Sequence, residues 1–416
     1  MSLDQAKSRR QFLKFMAASP LFADGGFNAF AADGPSAGTK LSDPIMWAPM
    51  RTEDLIKSPK DAINVFDFEP VMRHNVPPAH FGYMASGVND EITLRANREG
   101  FLKFQLRPRR LVDVSKVDMS TEILGVKYDT PIVIAPVGGQ KAFYTGGEID
   151  VAKAAKVGNH LQILSTVTTS SVEEVTAARG QPIWYQLYAS NKWEIAKALV
   201  TRAEKAGCLA VAVTVDIMGG RNQETLARLQ RTDTRECSAC HDRSTPQANL
   251  RRRSMYEGID VTGITASTAM TWDFLKRLRD LTKMKIVIKG ILAHEDAKLA
   301  ADAGIDAIVV SNHGARSEDS GRSTIDALPE IVEAVGGRMP VLVDSGFRRG
   351  TDIAKALCMG AKGVCIGRPY IWGLGAFGQP GVERVLELLR IELRAIMQQV
   401  GAPSIKHLTP AMVRRA

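Results

Sequence analysis

The sequence predicts an α/β fold: a (β/α)8, or TIM, barrel preceded by a helical lid segment. Three observations predict it. Eight short apolar runs read as strands, an amphipathic helical pattern separates one run from the next, and no Gly-x-Gly-x-x-Gly follows the first run. Continuous apolar strands alternating with helices mean a parallel sheet covered by helices, and eight is the number that closes a barrel. Without the glycine fingerprint, the open dinucleotide-binding sheet is the weaker alternative.

In chain order, Ser8-Arg9-Arg10-Gln11-Phe12-Leu13-Lys14 reads as a twin-arginine export signal, followed by a short apolar stretch, Phe15–Ala23. Ala29-Phe30-Ala31 is the expected cleavage site, so residues 1–31 are a leader and the mature protein is expected in the periplasm. Residues 32–64 are polar with Pro and Gly and read as an arm. Val65–Asn97 reads as the helical lid, and Arg107–Val112 leads toward the barrel. The expected strands are Ile132–Val137, Leu161–Thr166, Ile183–Tyr188, Leu209–Asp216, Lys285–Gly290, Ala307–Gly314, Pro340–Gly346 and Gly363–Pro369. Helical patterns between them include Trp193–Ala206, Thr271–Thr282, His294–Ala303, Thr324–Val335 and Thr351–Met359. The barrel unit is expected to span 65–401, with 402–416 as a C-terminal tail. No apolar run approaches the length of a membrane span.

Barrel chemistry sits at the C-terminal ends of the strands, and those ends are polar here. They read Pro136-Val137-Gly138-Gly139-Gln140, Ser165-Thr166, Gln186-Leu187-Tyr188, Thr214-Val215-Asp216, Lys289-Gly290, Ser311-Asn312-His313-Gly314-Ala315-Arg316, Asp344-Ser345-Gly346 and Gly367-Arg368. A folded barrel has no structural need to aim a Lys, a Gln, an Asp and a His at one mouth, so the convergence marks an active site. His313 can take a proton near neutral pH, and Arg316 offers a fork of donors that fits a carboxylate. The Gly-rich turns Asp344–Gly350 and Gly367–Pro369 each carry an Arg, a pattern suited to a phosphate. Together they suggest hydrogen removal beside a carboxylate, with a phosphate-bearing cofactor that has a redox ring.

The motifs Ser311–Arg316, Thr324-Ile325-Asp326-Ala327-Leu328-Pro329-Glu330, Asp344–Asp352 and Tyr83-Met84-Ala85-Ser86-Gly87 resemble the FMN-dependent α-hydroxy acid oxidase and dehydrogenase family. Glycolate oxidase, lactate oxidase and dehydrogenase, and mandelate dehydrogenase are its members, and the likeness runs from about Val65 to Gly401. The resemblance implies FMN as cofactor and oxidation of a lactate-like L-2-hydroxy acid to the 2-oxo acid. It implies His313 as base with Asp216 as its carboxylate partner. Arg316 would clamp the substrate carboxylate, and Tyr83 and Tyr188 would hydrogen-bond the substrate. Pro136, Val137 and Gly138 would touch the flavin through their backbone; Ser165, Gln186 and Thr214 would bond its ring, with Ser311 also on the cofactor side. Lys289 would stand beside the ring, and Asp344, Ser345, Gly346, Arg348, Gly367 and Arg368 would form the phosphate site. A homo-oligomer, a tetramer by resemblance, is implied too. The electron acceptor is expected to be a quinone or a cytochrome, because Gly138 stands where several oxidases carry Ala; oxygen is the alternative. A flavin-binding barrel without turnover is the non-enzyme rival.

The chain departs from the family pattern twice. Most relatives place an Arg seven residues after the strand-four Asp; here Arg221 arrives two residues early, behind two glycines, and is expected at the substrate if the turn is tight. The loop between strands four and five also carries Cys237-Ser238-Ala239-Cys240-His241, the attachment pattern for c-type haem. The loop has no room for a cytochrome domain, and a chain exported already folded is a poor substrate for haem attachment. A disulfide or two loop thiols is therefore the expectation. Cys208, Cys358 and Cys365 read as small core residues, and no metal site is expected. The net charge is +9. Arg251-Arg252-Arg253 reads as a solvated loop run, or more sharply as a docking face for anionic lipid or an acidic redox partner. No aromatic-interleaved basic surface or nucleic-acid motif is present, which argues against nucleic-acid binding.

Overall fold

The computed structural model describes residues 55–217, 219–234 and 245–416. The leader and Cys237, Cys240 and His241 lie outside the described residues. Eight parallel strands form the barrel: β1 Ile132–Ile134, β2 Ile163–Ser165, β3 Trp184–Tyr188, β4 Ala210–Thr214, β5 Lys285–Ile291, β6 Ala307–Val310, β7 Val341–Val343 and β8 Gly363–Ile366. Their order is β1-β8-β7-β6-β5-β4-β3-β2. The ring closes where Ile134 bridges Gln162 in parallel and its N–H donates to the Leu161 carbonyl at 2.8 Å. Every residue of β1, β2, β4, β6, β7 and β8 is buried, as strands covered on both faces must be.

Side-chain alternation decides what fills the barrel. Val133, Ile163, Trp184, Ala210, Ala212, Val287, Ala307, Val309, Leu342 and Cys365 belong to one core cluster. The same cluster includes Ile123 and Tyr128 from the hairpin Thr121–Ile123/Val126–Tyr128, which closes the N-terminal end. Counting on by twos toward the C-terminal end reaches Ser165, Gln186, Thr214, Lys289, Ser311 and Asp344. The uppermost interior layer is therefore polar because the strands switch composition, not direction.

Six of the eight strands end before their expected boundaries, β6 and β7 among them. β6 stops at Val310 because His313, Gly314 and Ala315 all take positive φ (58°, 66° and 63°), and β7 stops at Val343 ahead of Ser345 at φ 78°. Left-handed backbone at three non-glycine residues is uncommon and costs of order 1–3 kcal/mol at each, a strain that clusters at functional turns. Helices Gly147–Val157, Val172–Arg179, Trp193–Lys205, Trp272–Leu281, His294–Asp302, Thr324–Val335, Gly350–Cys358 and Arg368–Val400 cover the outside. The C-terminal residues Val413–Arg415 pair antiparallel with Phe104–Leu106. Among the described residues, no helix is long and apolar enough to cross a membrane.

Among the described residues, three short α-helices precede the barrel, Phe68–Asn75, Pro78–Ala85 and Ile92–Glu99. The middle one carries Tyr83 and is pinned from both sides. Asn75 Nδ2 donates to the Ala376 carbonyl at 3.0 Å, and Arg368 donates to the carbonyls of Met84 (2.6 Å) and Ser86 (3.0 Å). Leu226 and Leu229 of the helix Glu224–Arg231 pack against Gly82, so the β4–β5 loop leans on the lid.

Candidate active site

The polar top layer is a chain of hydrogen bonds. Ser165 Oγ donates to Gln186 Oε1 (3.2 Å), and Gln186 Nε2 donates to Thr214 Oγ1 (2.9 Å). Lys289, 4 % exposed, reaches Ser311 Oγ at 2.7 Å and the Asp344 carboxylate at 3.1 Å. Ser311 and Ser345 donate to the two oxygens of Asp344 at 2.9 and 2.7 Å. Burial opposes the charge on Lys289, but Asp344 and Asp216 outweigh it and hold the pKa above the ordinary lysine value. Lys289 is a fixed buried cation.

The strained turn after β6 aims His313. Its N–H donates to Ser311 Oγ at 3.0 Å, Nδ1 lies 2.9 Å from Asp216 Oδ1, and Nε2 lies 3.1 Å from the Tyr188 hydroxyl. Asp216 reaches the ring because β5 bulges at Gly290, where φ is +115° and a Cβ would stand 2.7 Å from the Asp216 Cβ. Burial alone would raise the Asp216 carboxyl, but the charges of His313 and Lys289 keep it below the usual range. Burial is also the largest influence on His313. Together with the cations Lys289 and Arg316 it outweighs Asp216 and lowers the imidazole pKa below its ordinary value. Asp216 pulls the other way and favours the protonated ring, as a carboxylate partner of a base should. An ionised Asp216 accepts a hydrogen bond from Nδ1–H, leaving the Nε2 lone pair as a base.

Arg316, Arg348 and Arg368 gather at the other end. The Arg316 guanidinium lies 4.5 Å over the Tyr83 ring and donates to the Tyr83 and Ser86 carbonyls. The Arg348 guanidinium lies 4.6 Å over Trp372. Burial and repulsion from Arg316 and Arg348 push Arg368 down to about 9. Three buried guanidiniums close enough to repel one another are costly unless an anion joins them. A cavity with about 700 Å³ of empty space, counted out to solvent, connects this cluster to Lys289 and His313. Pro136, Val137, Gly138, Ser345, Gly346 and Gly367 line its walls. The lining suits an elongated group, with a flat polar part on Lys289 and a dianion on Arg348 and Arg368, and leaves Arg316 for a second anion beside His313.

The structure thus brings together the expected residues on the strand ends, with Tyr83 delivered by the lid. Arg221 differs: it is exposed, although its charge is felt by Tyr188 and Arg316. Asp344 differs in detail: its carboxylate is bonded to Lys289, Ser311 and Ser345, so it positions those groups and does not itself meet a phosphate, which it would repel. Two contributors carried no sequence signal. The Ser86 carbonyl receives both Arg316 and Arg368, and Asn97 pairs with Asn312 (3.0 Å), tying the lid to the catalytic turn. Among the described residues, no group of three His, Cys, Asp or Glu could hold a metal ion.

A parallel barrel with an Asp-paired His, a buried Lys and an arginine-lined anion pocket suits a cofactor-dependent oxidoreductase. The pattern of the FMN-dependent dehydrogenases matches residues 72–415. The chain is 38 % identical over 355 residues to the peroxisomal (S)-2-hydroxyacid oxidase GLO4 of Arabidopsis thaliana, covering 85 % of this chain and 96 % of that one. It is 38 % identical over 364 residues to the L-lactate oxidase of Nostoc sp., covering 83 % and 96 %. A soluble mutant of the membrane-associated (S)-mandelate dehydrogenase from Pseudomonas putida superposes with a TM-score of 0.77 at 32 % identity, over 86 % of this chain and 100 % of that one. This chain belongs to the FMN-dependent 2-hydroxy acid oxidase and dehydrogenase family, and FMN is its cofactor.

Proposed function

We propose that this protein oxidises an L-2-hydroxy acid to the 2-oxo acid and passes the electrons to a quinone or a cytochrome. The observation that carries the reading is His313, oriented by Asp216 at 2.9 Å, in one cavity with the carboxylate-matching fork of Arg316. In this reading Arg316 and the Tyr83 and Tyr188 hydroxyls hold the acid, and His313 Nε2 takes the hydroxyl proton as the carbonyl forms. Arg221 supplies positive potential at the mouth. FMN, when bound, takes up the two electrons and the remaining hydrogen. Ser165, Gln186 and Thr214 would hold its polar ring edge, and the backbone of Pro136, Val137 and Gly138 would face the ring. Lys289, held by Asp344 and Ser311, would balance negative charge there. Ser345, Gly346, Arg348, Gly367 and Arg368 would hold its phosphate.

Gly138 supports an acceptor other than oxygen by analogy, and its tight seat is consistent: a Cβ there would lie 2.4 Å from Val167 Cγ2, so an alanine needs Val167 to move. The twin-arginine pattern supports export to a compartment where quinones and cytochromes are at hand. The oxidase reading is kept by the relatives, two of which are named oxidases. Anaerobic titration of the flavin with L- and D-lactate, glycolate and L-mandelate tests the substrate class. Reoxidation by oxygen, a quinone analogue and cytochrome c tests the acceptor. Bleaching by an L-acid and slow peroxide formation are expected; fast peroxide formation decides for the oxidase, and no bleaching by any acid refutes the substrate class.

A further inference from the structure

The basic run in the β4–β5 loop is not uniform. Arg251 and Arg252 are exposed, whereas Arg253 is half-buried. Its Nη1 is shielded from solvent and has no hydrogen-bond partner among the described residues. The approach of Nη2 to Asn249 Oδ1, at 3.5 Å, is long for a hydrogen bond. A solvated loop arginine would turn its donors to water; this one is held inward. The turn Ser254–Tyr256 that follows is fixed by the buried Met255 and Tyr256, and Ser254 Oγ donates to the Thr169 carbonyl at 3.0 Å. The guanidinium is therefore set in place before any ligand arrives.

Its seat is made by a glycine. A Cβ on Gly139 would stand 3.1 Å from Arg253 Nη1, and Gly139 has φ +65°, where only glycine is free of strain. Gly139 follows Gly138, which lines the cavity, and its N–H donates to the Val167 carbonyl at 3.0 Å, behind β2. The strand order places β2 four strands from β6, on the opposite side of the ring. Arg253 stands just behind the cavity wall at Gly138, so an acid clamped by Arg316 with its reacting carbon at His313 would reach it only by extending its remaining carbons away from β6. A half-buried cation whose shielded Nη1 lacks an acceptor among the described residues asks for an anion.

We propose that Arg253 is a specificity-determining residue that receives a second carboxylate, so that the preferred substrates are 2-hydroxy dicarboxylates. The inference rests on the reading of the site as a 2-hydroxy acid oxidising centre. The chemistry is unchanged: the C2 hydroxyl becomes a carbonyl, its proton goes to His313, and the two electrons leave with the C2 hydrogen to FMN. The distal carboxylate only binds.

Matched pairs of acids test it: (S)-malate against (S)-2-hydroxybutanoate, and (S)-2-hydroxyglutarate against (S)-2-hydroxypentanoate. The readout is the ratio of kcat/KM within each pair, from anaerobic flavin bleaching normalised to FMN content. A charge-assisted contact predicts a wild-type ratio of at least about 10 for one pair, and a collapse of that ratio by about 10–100-fold in Arg253→Gln. The wild-type ratio stands even if the variant fails to fold, and Arg253→Lys, which keeps the charge, should retain part of the preference. A wild-type ratio near one in both pairs, or a ratio unmoved in the glutamine variant, overturns the inference. Bleaching by none of the four acids overturns the underlying reading, and this inference with it.

Discussion

Replacing Asp216 with Asn isolates the charge behind His313. The carboxylate lies 2.9 Å from Nδ1, with side chains 8 % and 15 % exposed. At an effective dielectric near 20, unit charges at that separation attract by about 5–6 kcal/mol, which bounds what Asp216 gives an imidazolium forming as the proton arrives. An asparagine oxygen still accepts from Nδ1–H and recovers roughly half of that. The net loss is about 3 kcal/mol, or about 10²-fold in the rate of flavin reduction. The pH dependence has a definite sign. His313 must be neutral to act, so kcat/KM rises as pH passes up through its pKa, which lies below the ordinary value of 6.5. Asp216 is an influence that raises this pKa, so Asp216→Asn moves the acid limb further down while lowering the plateau. Anaerobic stopped-flow bleaching between mildly acid and neutral pH reads both. A plateau within about 3-fold of wild type, or an acid limb displaced upward, refutes the assignment of Asp216 as the partner that stabilises the protonated base.

Arg316→Lys should raise KM by at least about 10-fold with a smaller change in kcat, because an ammonium cannot make the paired carboxylate contacts or span to the lid carbonyls; steady-state kinetics check it. Lys289→Met leaves the Asp344 carboxylate buried without its cation and should cost about 3–5 kcal/mol of stability. The double variant Lys289→Met/Asp344→Asn should recover most of that in a thermal melt while flavin reduction stays slow. Arg368→Met should weaken FMN retention by about 10–100-fold, read from flavin lost on dialysis, since it removes one of the two guanidiniums, Arg348 and Arg368, assigned to the phosphate.

The barrel was legible because parallel strands are apolar on both faces, and runs such as Ala307-Ile308-Val309-Val310 show this without ambiguity. Strand parity then carries Ser165, Gln186, Thr214, Lys289, Ser311 and Asp344 to the mouth. What composition hides is backbone geometry. His313, Ala315 and Ser345 are not residues that announce positive φ, so the ends of β6 and β7 could not be read. The Asn97–Asn312 pair joins residues 215 positions apart, and the Ser86 acceptor is a main-chain atom that any residue would supply. The sequence shows the Asp216 partner of His313 but not the burial that lowers the imidazole pKa. Arg253 looked like its two neighbours until its seat on Gly139 set it apart.

The central claim is that His313 is the proton acceptor in a flavin site that other residues hold together. The most direct measurement compares wild type with His313→Gln in anaerobic single-turnover flavin reduction by a saturating L-2-hydroxy acid, with FMN content measured in both. The account predicts full FMN retention in the variant and reduction slower by about 10²–10⁴-fold, the range for loss of a general base. Reduction at close to the wild-type rate, with FMN in place, would contradict it.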